Sequence, residues 1–158
     1  MVVTALAIAA MSACSARQVD PVASPPGVTK VIRVVDGDTL IVEPKVRIRL
    51  IGVDAPESVA PNRPIECMGR EASRFLSELL PPGTEVRLES DVELLDSYDR
   101  TLAYLWIGSS GLFVNAELVR QGFAQTLTIP PNIAYADEFA NLAIEARLAN
   151  RGLWSACP

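Results

Sequence analysis

Three short apolar segments, separated by turn residues, constrain the fold of this chain more than any other feature. Residues 31–35, 39–42 and 46–50 each have the length and the β-branched content of a strand. Asp36-Gly37, between the first two, favours a hairpin turn, because glycine adopts positive φ at little cost and aspartate starts turns. Pro56 ends the segment beyond the third. The sequence therefore predicts three adjacent strands near the start of the chain.

The predicted turns and strand ends carry four charged side chains. Asp38 follows the first turn, Arg49 lies on the third strand, and Asp54 and Glu57 come after it. Adjacent strands bring these side chains to one neighbourhood. Acidic oxygens beside a guanidinium are the groups that metal-assisted phosphate chemistry uses. Taken alone, the same carboxylates also fit a structural role in turns, and Arg47 fits a solvated face of the strand.

The rest of the chain supplies two more strands and three helices. An amphipathic helix is predicted over 69–80, and strands are predicted over 85–89 and 100–107. Further helices are predicted over 115–121 and 134–149. Five strands, with one helix after the third and others at the end, describe an α+β protein that is mainly β. The expected fold is a five-stranded Greek-key barrel of the OB type with three α-helices.

The composition limits the chemistry. The chain has 49% hydrophobic residues, which supports a globular fold, and its 14 Lys and Arg against 19 Asp and Glu give a net charge of −5. Affinity for nucleic acid comes largely from basic groups, so such a chain would need a locally positive cleft to bind it. The chain has no histidine, which excludes a Ser-His-Asp triad and a His-ligated zinc site. Catalysis must then come from carboxylates, Arg, Lys, Tyr or Cys, with or without an oxygen-ligated metal.

The order of the motifs resembles the staphylococcal nuclease (thermonuclease) family, whose domain has an OB fold. The resemblance runs from about residue 31 to residue 154. It rests on the paired acidic segments and four later segments in the family's order: 36–39 with 49–57, then 96–104, 114–122, 130–132 and 151–154. Any one of these matches is weak alone, whereas the ordered set is a strong signal.

The resemblance implies a metal site. Asp38 and Asp54, joined by the backbone carbonyl of Ala55, are the implied ligands of Ca²⁺. This cation accepts all-oxygen coordination and keeps water in its remaining positions. Asp36 is expected to serve the turn and, with Thr39, to support the ligands without binding the metal.

The resemblance also implies catalytic and substrate-binding residues. Glu57 is expected to orient or deprotonate the attacking water. Arg49 and Arg100 are expected to bind the phosphate, because a planar guanidinium can hydrogen-bond two equatorial oxygens at once. Tyr98 is expected to contact the nucleotide.

Two positions depart from the family pattern. Asp99 stands where the family usually has glycine, and residues 126–129 lack the tyrosine that often borders the base. Asp99 can pair with Arg100 or point away from it, and aspartate tolerates positive φ better than most residues. We expect weaker base contact where the tyrosine is missing.

Residues 1–27 are predicted to be a leader and linker, and residues 28–158 one thermonuclease-like domain. Residues 2–11 are apolar but fall short of the roughly 20 residues of a spanning helix, which suits a secretory signal. The small residues before Cys14 resemble a lipobox, so Cys14 is a candidate for lipidation. An ordinary signal peptide and a frayed tail remain open.

The expected state of the other two cysteines depends on this localisation. In an exported protein Cys67 and Cys157 are expected to form a disulfide, and in a cytosolic one they would be free thiols. The resemblance implies a Ca²⁺-dependent nuclease that cuts DNA and RNA with little sequence preference, prefers single-stranded or denatured substrate and leaves 3′-phosphates. We expect it to be a monomer that is periplasmic, at the cell surface or secreted, with a lipid anchor as a further expectation. The alternative is a non-catalytic OB-like module that binds nucleic acid or protein.

Overall fold

The structure, a computed structural model, describes residues 27–58 and 64–157. Its strands are β1 Gly27–Asp36, β2 Thr39–Val42, β3 Val46–Leu50, β4 Gly52–Asp54, β5 Glu85–Glu89, β6 Thr101–Ile107 and β7 Gln125–Leu127. Its helices are α1 Gly69–Leu79, α2 Val114–Arg120, α3 Ala136–Leu148 and the single turn α4 Leu153–Ala156. Within the described residues, no helix is both long and apolar enough to cross a membrane.

Five strands close into a barrel in the order β1-β2-β3-β6-β5. β3 and β6 run parallel, with Ile48 opposite Thr101, and the other neighbours are antiparallel. Closure leaves none of these strands with an unpaired edge. Apolar and polar residues alternate along β3 and β5, and the apolar ones face the barrel interior. In β5, for example, Val86 and Leu88 are buried whereas Arg87 between them is exposed. The predicted α+β barrel of the OB type is confirmed.

The helices cover the barrel and brace the strands that carry the site. Ala72 and Leu76 of α1 are buried, as the predicted apolar stripe requires. Asn115 at the start of α2 is fully buried between the helix and the barrel. Its Oδ1 accepts a hydrogen bond from the Leu105 amide at 3.0 Å, and its Nδ2 donates to the Ile51 carbonyl at 2.9 Å. Such a buried amide is satisfied on both sides, so it fixes the backbone at the end of β3.

Three short elements were not predicted. β4 and β7 form a separate two-stranded sheet, in which Val53 lies opposite Thr126, and α4 is one turn long. Three-residue strands are too short to show a period of two, and all of β7 is exposed. Gly27, at the predicted end of the linker and the start of β1, pairs with Leu88.

The first hairpin turn differs from the prediction by one position. Asp36 pairs with Thr39, so the two-residue loop is Gly37-Asp38. Gly37 does not lie in the positive-φ region. Glycine is required here for space, because a Cβ would lie 2.6 Å from the Cβ of Ala55 and 3.0 Å from that of Ala72. The turn therefore packs against the segment that follows β4 and against α1.

Candidate active site

Arg49 lies between two carboxylates at one end of the barrel. The Nη2 atom of Arg49 is 3.2 Å from Oδ2 of Asp38 and 3.0 Å from Oδ1 of Asp54. Asp38 comes from the β1–β2 loop, Arg49 from β3, where it pairs with Thr39, and Asp54 ends β4. The side chains of Asp38 and Arg49 are only 10% and 12% exposed, whereas that of Asp54 is 58% exposed. The structure thus brings together three residues that the sequence placed in one neighbourhood.

The backbone also holds the guanidinium of Arg49. Its Nη1 donates to the Leu50 carbonyl at 2.8 Å and to the Val53 carbonyl at 2.7 Å. Arg49 is therefore a fixed group rather than a solvated strand arginine, in contrast to Arg47, which is exposed on the same strand. Because Nη1 already donates to two carbonyls and Nη2 contacts two carboxylates, an anion would bind to Arg49 through Nε or by exchanging with a carboxylate at Nη2.

Asp38 links the first hairpin to the segment after β4. Its Oδ1 accepts a hydrogen bond from the Thr39 hydroxyl at 2.9 Å, and its Oδ2 accepts one from the Ala55 amide at 3.1 Å. Two carboxylates and nearby carbonyls make an all-oxygen donor set, which fits a hard divalent cation such as Ca²⁺. The described residues contain no group of three or more His, Cys, Asp or Glu side chains that could hold a metal. Asp38 and Asp54 would therefore need Ala55 and water to complete the coordination.

The local charge also suits a cation. Partial burial raises the pKa of Asp54, the Arg49 guanidinium opposes this rise, and the charges of Asp38, Glu66 and Glu57 add to it. Arg49 therefore does not neutralise all of the negative charge around Asp54. A cation at this place would relieve the repulsion among these carboxylates.

The backbone of Glu57 is held from both sides. The Glu57 amide donates to Oε2 of Glu66 at 3.0 Å, and the Glu57 carbonyl accepts from the Glu66 amide at 3.0 Å. The Ser58 hydroxyl donates to Oδ1 of Asp36 at 2.5 Å, and the same oxygen accepts from the Gly37 amide at 2.8 Å. Asp36 therefore serves the turn and also ties it to the loop that carries Glu57.

Arg100, directly before β6, approaches the same region through Thr39. Its Nε donates to Oδ2 of Asp96 at 2.6 Å, and its Nη1 is 3.4 Å from the Thr39 hydroxyl. The Tyr98 ring lies 5.4 Å from the Arg100 guanidinium and is 78% exposed. Because Thr39 also donates to Asp38, it connects Arg100 to the acidic side of the site.

Asp96 is a positioning residue that the sequence reasoning missed. Its Oδ1 accepts hydrogen bonds from the Tyr98 and Arg100 amides, both at 2.9 Å. Burial opposes ionisation, but these bonds and the Arg100 guanidinium together lower the pKa of Asp96 from the usual 3.8. An aspartate two and four residues before the amides it accepts from is a turn signal that could have identified it. Asp99 adopts φ 58° and is exposed, so it fits the glycine position without pairing with Arg100.

A cleft of about 360 Å³ opens beside the two arginines. Its walls are mainly apolar, and the lining includes Arg49, Val53, Leu95, Tyr98, Arg100, Leu102, Leu127, Ile129 and Asn132. Asn132 accepts from the Glu93 amide at 2.7 Å and donates to the Glu93 carbonyl at 2.9 Å, which joins two walls of the cleft. Leu127 and Ile129 stand in the segment that lacks the tyrosine. An aliphatic wall takes its place.

Cys67 and Cys157 form a disulfide in the structure. Their Cα atoms are 5.9 Å apart, and the bond closes a sequence separation of 90 residues. It connects the segment before α1 to the end of the chain. Cys14, the lipidation candidate, lies outside the described residues.

The fold and the site define a class: an OB-type barrel with a cleft lined by two arginines beside paired carboxylates. Comparison with known proteins gives the family. A sequence profile described as "Staphylococcal nuclease homologue" matches residues 47–156. A protein named Thermonuclease from Staphylococcus hyicus is 40% identical over 129 residues, which is 80% of this chain and 75% of the relative. The chain belongs to the staphylococcal nuclease family.

Two further relatives carry related names. Thermonuclease from Staphylococcus intermedius is 41% identical over 125 residues, covering 77% of this chain and 73% of the relative. Endonuclease YhcR from Bacillus subtilis (strain 168) is 35% identical over 134 residues, covering 78% of this chain and 11% of that larger protein.

Proposed function

We propose that this chain is an exported, Ca²⁺-dependent nuclease that cuts DNA and RNA with little sequence preference. As a member of the staphylococcal nuclease family it is a nuclease, a hydrolase of phosphodiester bonds in nucleic acid. The observation that carries the finer proposal is the convergence of Asp38 and Asp54 on Arg49, with Arg100 linked to Asp38 through the Thr39 hydroxyl. A binding module would not need this combination of carboxylates and fixed guanidinium groups.

The arginines and the glutamate have separate tasks in the proposed reaction. Arg49 and Arg100 hydrogen-bond the phosphate oxygens on which negative charge develops. Glu57 orients the attacking water from the loop after β4. Asp38, Asp54 and the Ala55 carbonyl would hold Ca²⁺, which when bound polarises the phosphate as a Lewis acid. By analogy with the family, the products carry 3′-phosphates.

The shape of the cleft supports a preference for single-stranded or denatured substrate. Tyr98 and Ile129 are exposed large side chains at the cleft. Unpaired bases can lie on such surfaces, whereas a duplex keeps its bases stacked. Contacts to phosphate carry no sequence information, which supports broad specificity.

Export is supported by the Cys67–Cys157 disulfide. Disulfides form and persist in oxidising compartments and are rare in the cytosol. We propose a periplasmic, cell-surface or secreted location, with lipid anchoring through Cys14. Cell fractionation of the wild type and of Cys14→Ser checks the anchor. A wild-type protein that fractionates with the membranes, and a released variant, would support it, whereas identical soluble fractions would exclude it.

Hydrolysis of denatured DNA tests the catalytic proposal. The full chain is assayed with Ca²⁺ and with a calcium chelator, and Glu57→Gln is compared with Glu78→Gln, a matched change at an exposed position of α1. We expect chelation to abolish cleavage and Glu57→Gln to lower kcat by roughly 10²-fold or more. New 5′-hydroxyl ends, labelled by a kinase without prior phosphatase, report the bond that is cut. A folded wild type that binds DNA without cutting it would instead support the binding module.

A further inference from the structure

The reciprocal hydrogen bonds between Glu57 and Glu66 form an unusual local support. The Glu57 amide donates to the Glu66 carboxylate, and the Glu66 amide donates to the Glu57 carbonyl, both at 3.0 Å. Glu57 follows β4 and Glu66 precedes α1, so neither residue belongs to a helix or a strand. These two bonds satisfy both the amide and the carbonyl of Glu57, as sheet pairing does for a residue in a strand.

The start of α1 closes around the same peptide group. The Gly69 amide donates to the Glu66 carbonyl at 3.0 Å. A Cβ at Gly69 would lie 2.5 Å from the Glu57 carbonyl oxygen and 3.2 Å from that of Pro56. Glycine at this position therefore allows the helix to approach the Glu57 backbone directly. The contact leaves Glu57 little room to move along this side.

The disulfide anchors the Glu66 side of the support. Cys67 is the next residue after Glu66, and its bond to Cys157 joins this segment to the chain end. Glu66 itself is exposed, so burial of its side chain does not hold it. The constraints next to it along the chain are the disulfide at Cys67 and the hydrogen bond from the Gly69 amide to the Glu66 carbonyl.

We propose that Glu66 is a positioning residue that fixes Glu57 for its work on the attacking water, and that the Cys67–Cys157 disulfide keeps Glu66 in place. The proposal rests on the role of Glu57 in the proposed function. Misplacement of a catalytic group by about 1 Å can cost on the order of 10²-fold in rate. A hydrogen bond to a charged acceptor is strong enough to prevent such movement.

The first test measures the contact without using activity. Solvent exchange of the Glu57 amide is followed by NMR in the calcium-free full chain for the wild type, Glu66→Ala, Glu66→Gln and Glu78→Ala. We expect Glu66→Ala to speed exchange by about tenfold, which corresponds to the net free energy of one hydrogen bond. Glu66→Gln should stay within about threefold of the wild type, because its amide oxygen can still accept. The control Glu78→Ala carries the same loss of charge on α1 and should have no effect. Unchanged exchange in Glu66→Ala would overturn the proposal.

The second test separates positioning from mere stability. With denatured DNA and saturating Ca²⁺, we expect Glu66→Ala to lower kcat by about tenfold and to leave KM unchanged, because Arg49 and Arg100 remain in place. Glu66→Gln should restore most of kcat. A wild-type kcat in Glu66→Ala would overturn the proposal, and so would an equal loss in Ala and Gln. If the wild type itself does not cleave DNA, the proposed function fails, and the exchange experiment still decides whether Glu66 holds Glu57.

The third test addresses the disulfide. Cys67→Ser with Cys157→Ser should speed exchange at Glu57 and lower kcat, and adding Glu66→Ala should then cost little more, since residues in one unit are not additive. If the fold-losses in kcat of the disulfide variant and of Glu66→Ala multiply in the combined variant, the role assigned to the disulfide is wrong. If this double cysteine variant does not fold, incubating the wild type with a thiol reductant, under conditions where circular dichroism shows it folded, gives the same comparison.

Discussion

Oδ2 of Asp96 accepts a 2.6 Å hydrogen bond from Nε of Arg100, four residues along the chain. Asp99, directly beside Arg100, is exposed and takes positive φ instead. The chain thus uses the more distant carboxylate to hold the arginine. Because Nε is engaged by Asp96, the terminal nitrogens of Arg100 lie toward Thr39 and the cleft. Asp96 and Asp99 therefore differ in their expected effects on catalysis.

Loss of Asp96 should impair phosphate binding by Arg100. We expect Asp96→Ala to lower kcat/KM by about 10- to 100-fold, because a misoriented guanidinium no longer stabilises the charge of the transition state. Asp99→Asn removes the same charge at the neighbouring position, and asparagine tolerates positive φ, so it should stay within about twofold of the wild type. Steady-state kinetics with denatured DNA checks both. Equal losses in the two variants would show that net charge matters and that orientation does not.

Asp96 also predicts a dependence of stability on pH. Its pKa is lowered in the folded protein, so its stabilisation is complete above the unfolded value of about 3.9 and is lost as the pH falls through the lower folded value. We expect Asp96→Ala to lower the free energy of unfolding by about 2 kcal/mol at pH 7, as for a hydrogen bond to a charged group. The difference should shrink below about pH 4. Urea denaturation at pH 7 and pH 3 measures it, and an equal difference at both would contradict the ionic origin.

Arg49 should not tolerate replacement by lysine. Its two terminal nitrogens contact two backbone carbonyls and two carboxylates at once, which one ammonium group cannot reproduce. We expect Arg49→Lys to lower kcat by about 10²-fold or more. Arg47→Lys, at an exposed position of the same strand, is the matched control and should change kcat less than about twofold. A fully active Arg49→Lys enzyme would refute the assigned role of the planar guanidinium.

The sequence predicted those features that depend on residues close together in the chain. Alternation along residues such as Val86 and Leu88 reports which face is buried, and it predicted the barrel strands. Neighbouring strands bring their ends together, which placed Asp38 near Arg49 and Asp54. The reason for Gly37 was predicted wrongly, because the close approach of Ala55 is a tertiary contact.

The supporting residues were harder to predict because their partners are set by the folded loops. Glu66 contacts Glu57 at a sequence separation of 9, and no periodicity relates the two positions. Asp96 had a local signal in the turn that it forms with the Tyr98 and Arg100 amides, whereas Asp99 is nearer to Arg100 along the chain and does not hold it. The three-residue strand β7 forms because β4 offers it a partner, and propensity alone does not predict such pairing.

Asp54 should link metal binding to stability. Burial raises its pKa, with the charges of Asp38, Glu66 and Glu57 adding to the rise and Arg49 opposing it, so ionised Asp54 costs the calcium-free folded protein some stability relative to the unfolded chain. We expect Asp54→Asn to leave the melting temperature without Ca²⁺ unchanged or slightly higher. The rise in melting temperature on adding Ca²⁺ should be largely lost in this variant. A ligand stabilises the folded protein only as far as it binds, and asparagine at this position would bind Ca²⁺ less tightly than the aspartate. Asp99→Asn serves as the control with the same charge change. Calorimetry with and without Ca²⁺ measures the melting temperatures. If Asp54→Asn showed the same calcium-induced rise as the wild type, Asp54 would not be a calcium ligand.

Gly37 should be sensitive to the smallest added side chain. A Cβ there would lie 2.6 Å from the Cβ of Ala55 and 3.0 Å from that of Ala72 in α1, so backbone on one side must move. Asp38 comes next, and its Oδ2 accepts from the Ala55 amide, so the same movement disturbs the acidic side of the site.

We expect Gly37→Ala to lower the free energy of unfolding by about 2 kcal/mol, the range for overpacking a core, and to weaken the calcium-induced rise in melting temperature. The control is Gly108→Ala, where the added Cβ comes within 3.1 Å of Oε1 and 3.3 Å of the carbonyl oxygen of Glu85 and φ is not positive. That control should cost less than Gly37→Ala, because the closer contact is with a flexible side chain and the contact with the backbone needs a shift of only a few tenths of an ångström. Denaturant unfolding and calorimetry measure both variants. A Gly37→Ala protein with wild-type stability and a full calcium response would show that the turn, Ala55 and α1 can separate without affecting the site.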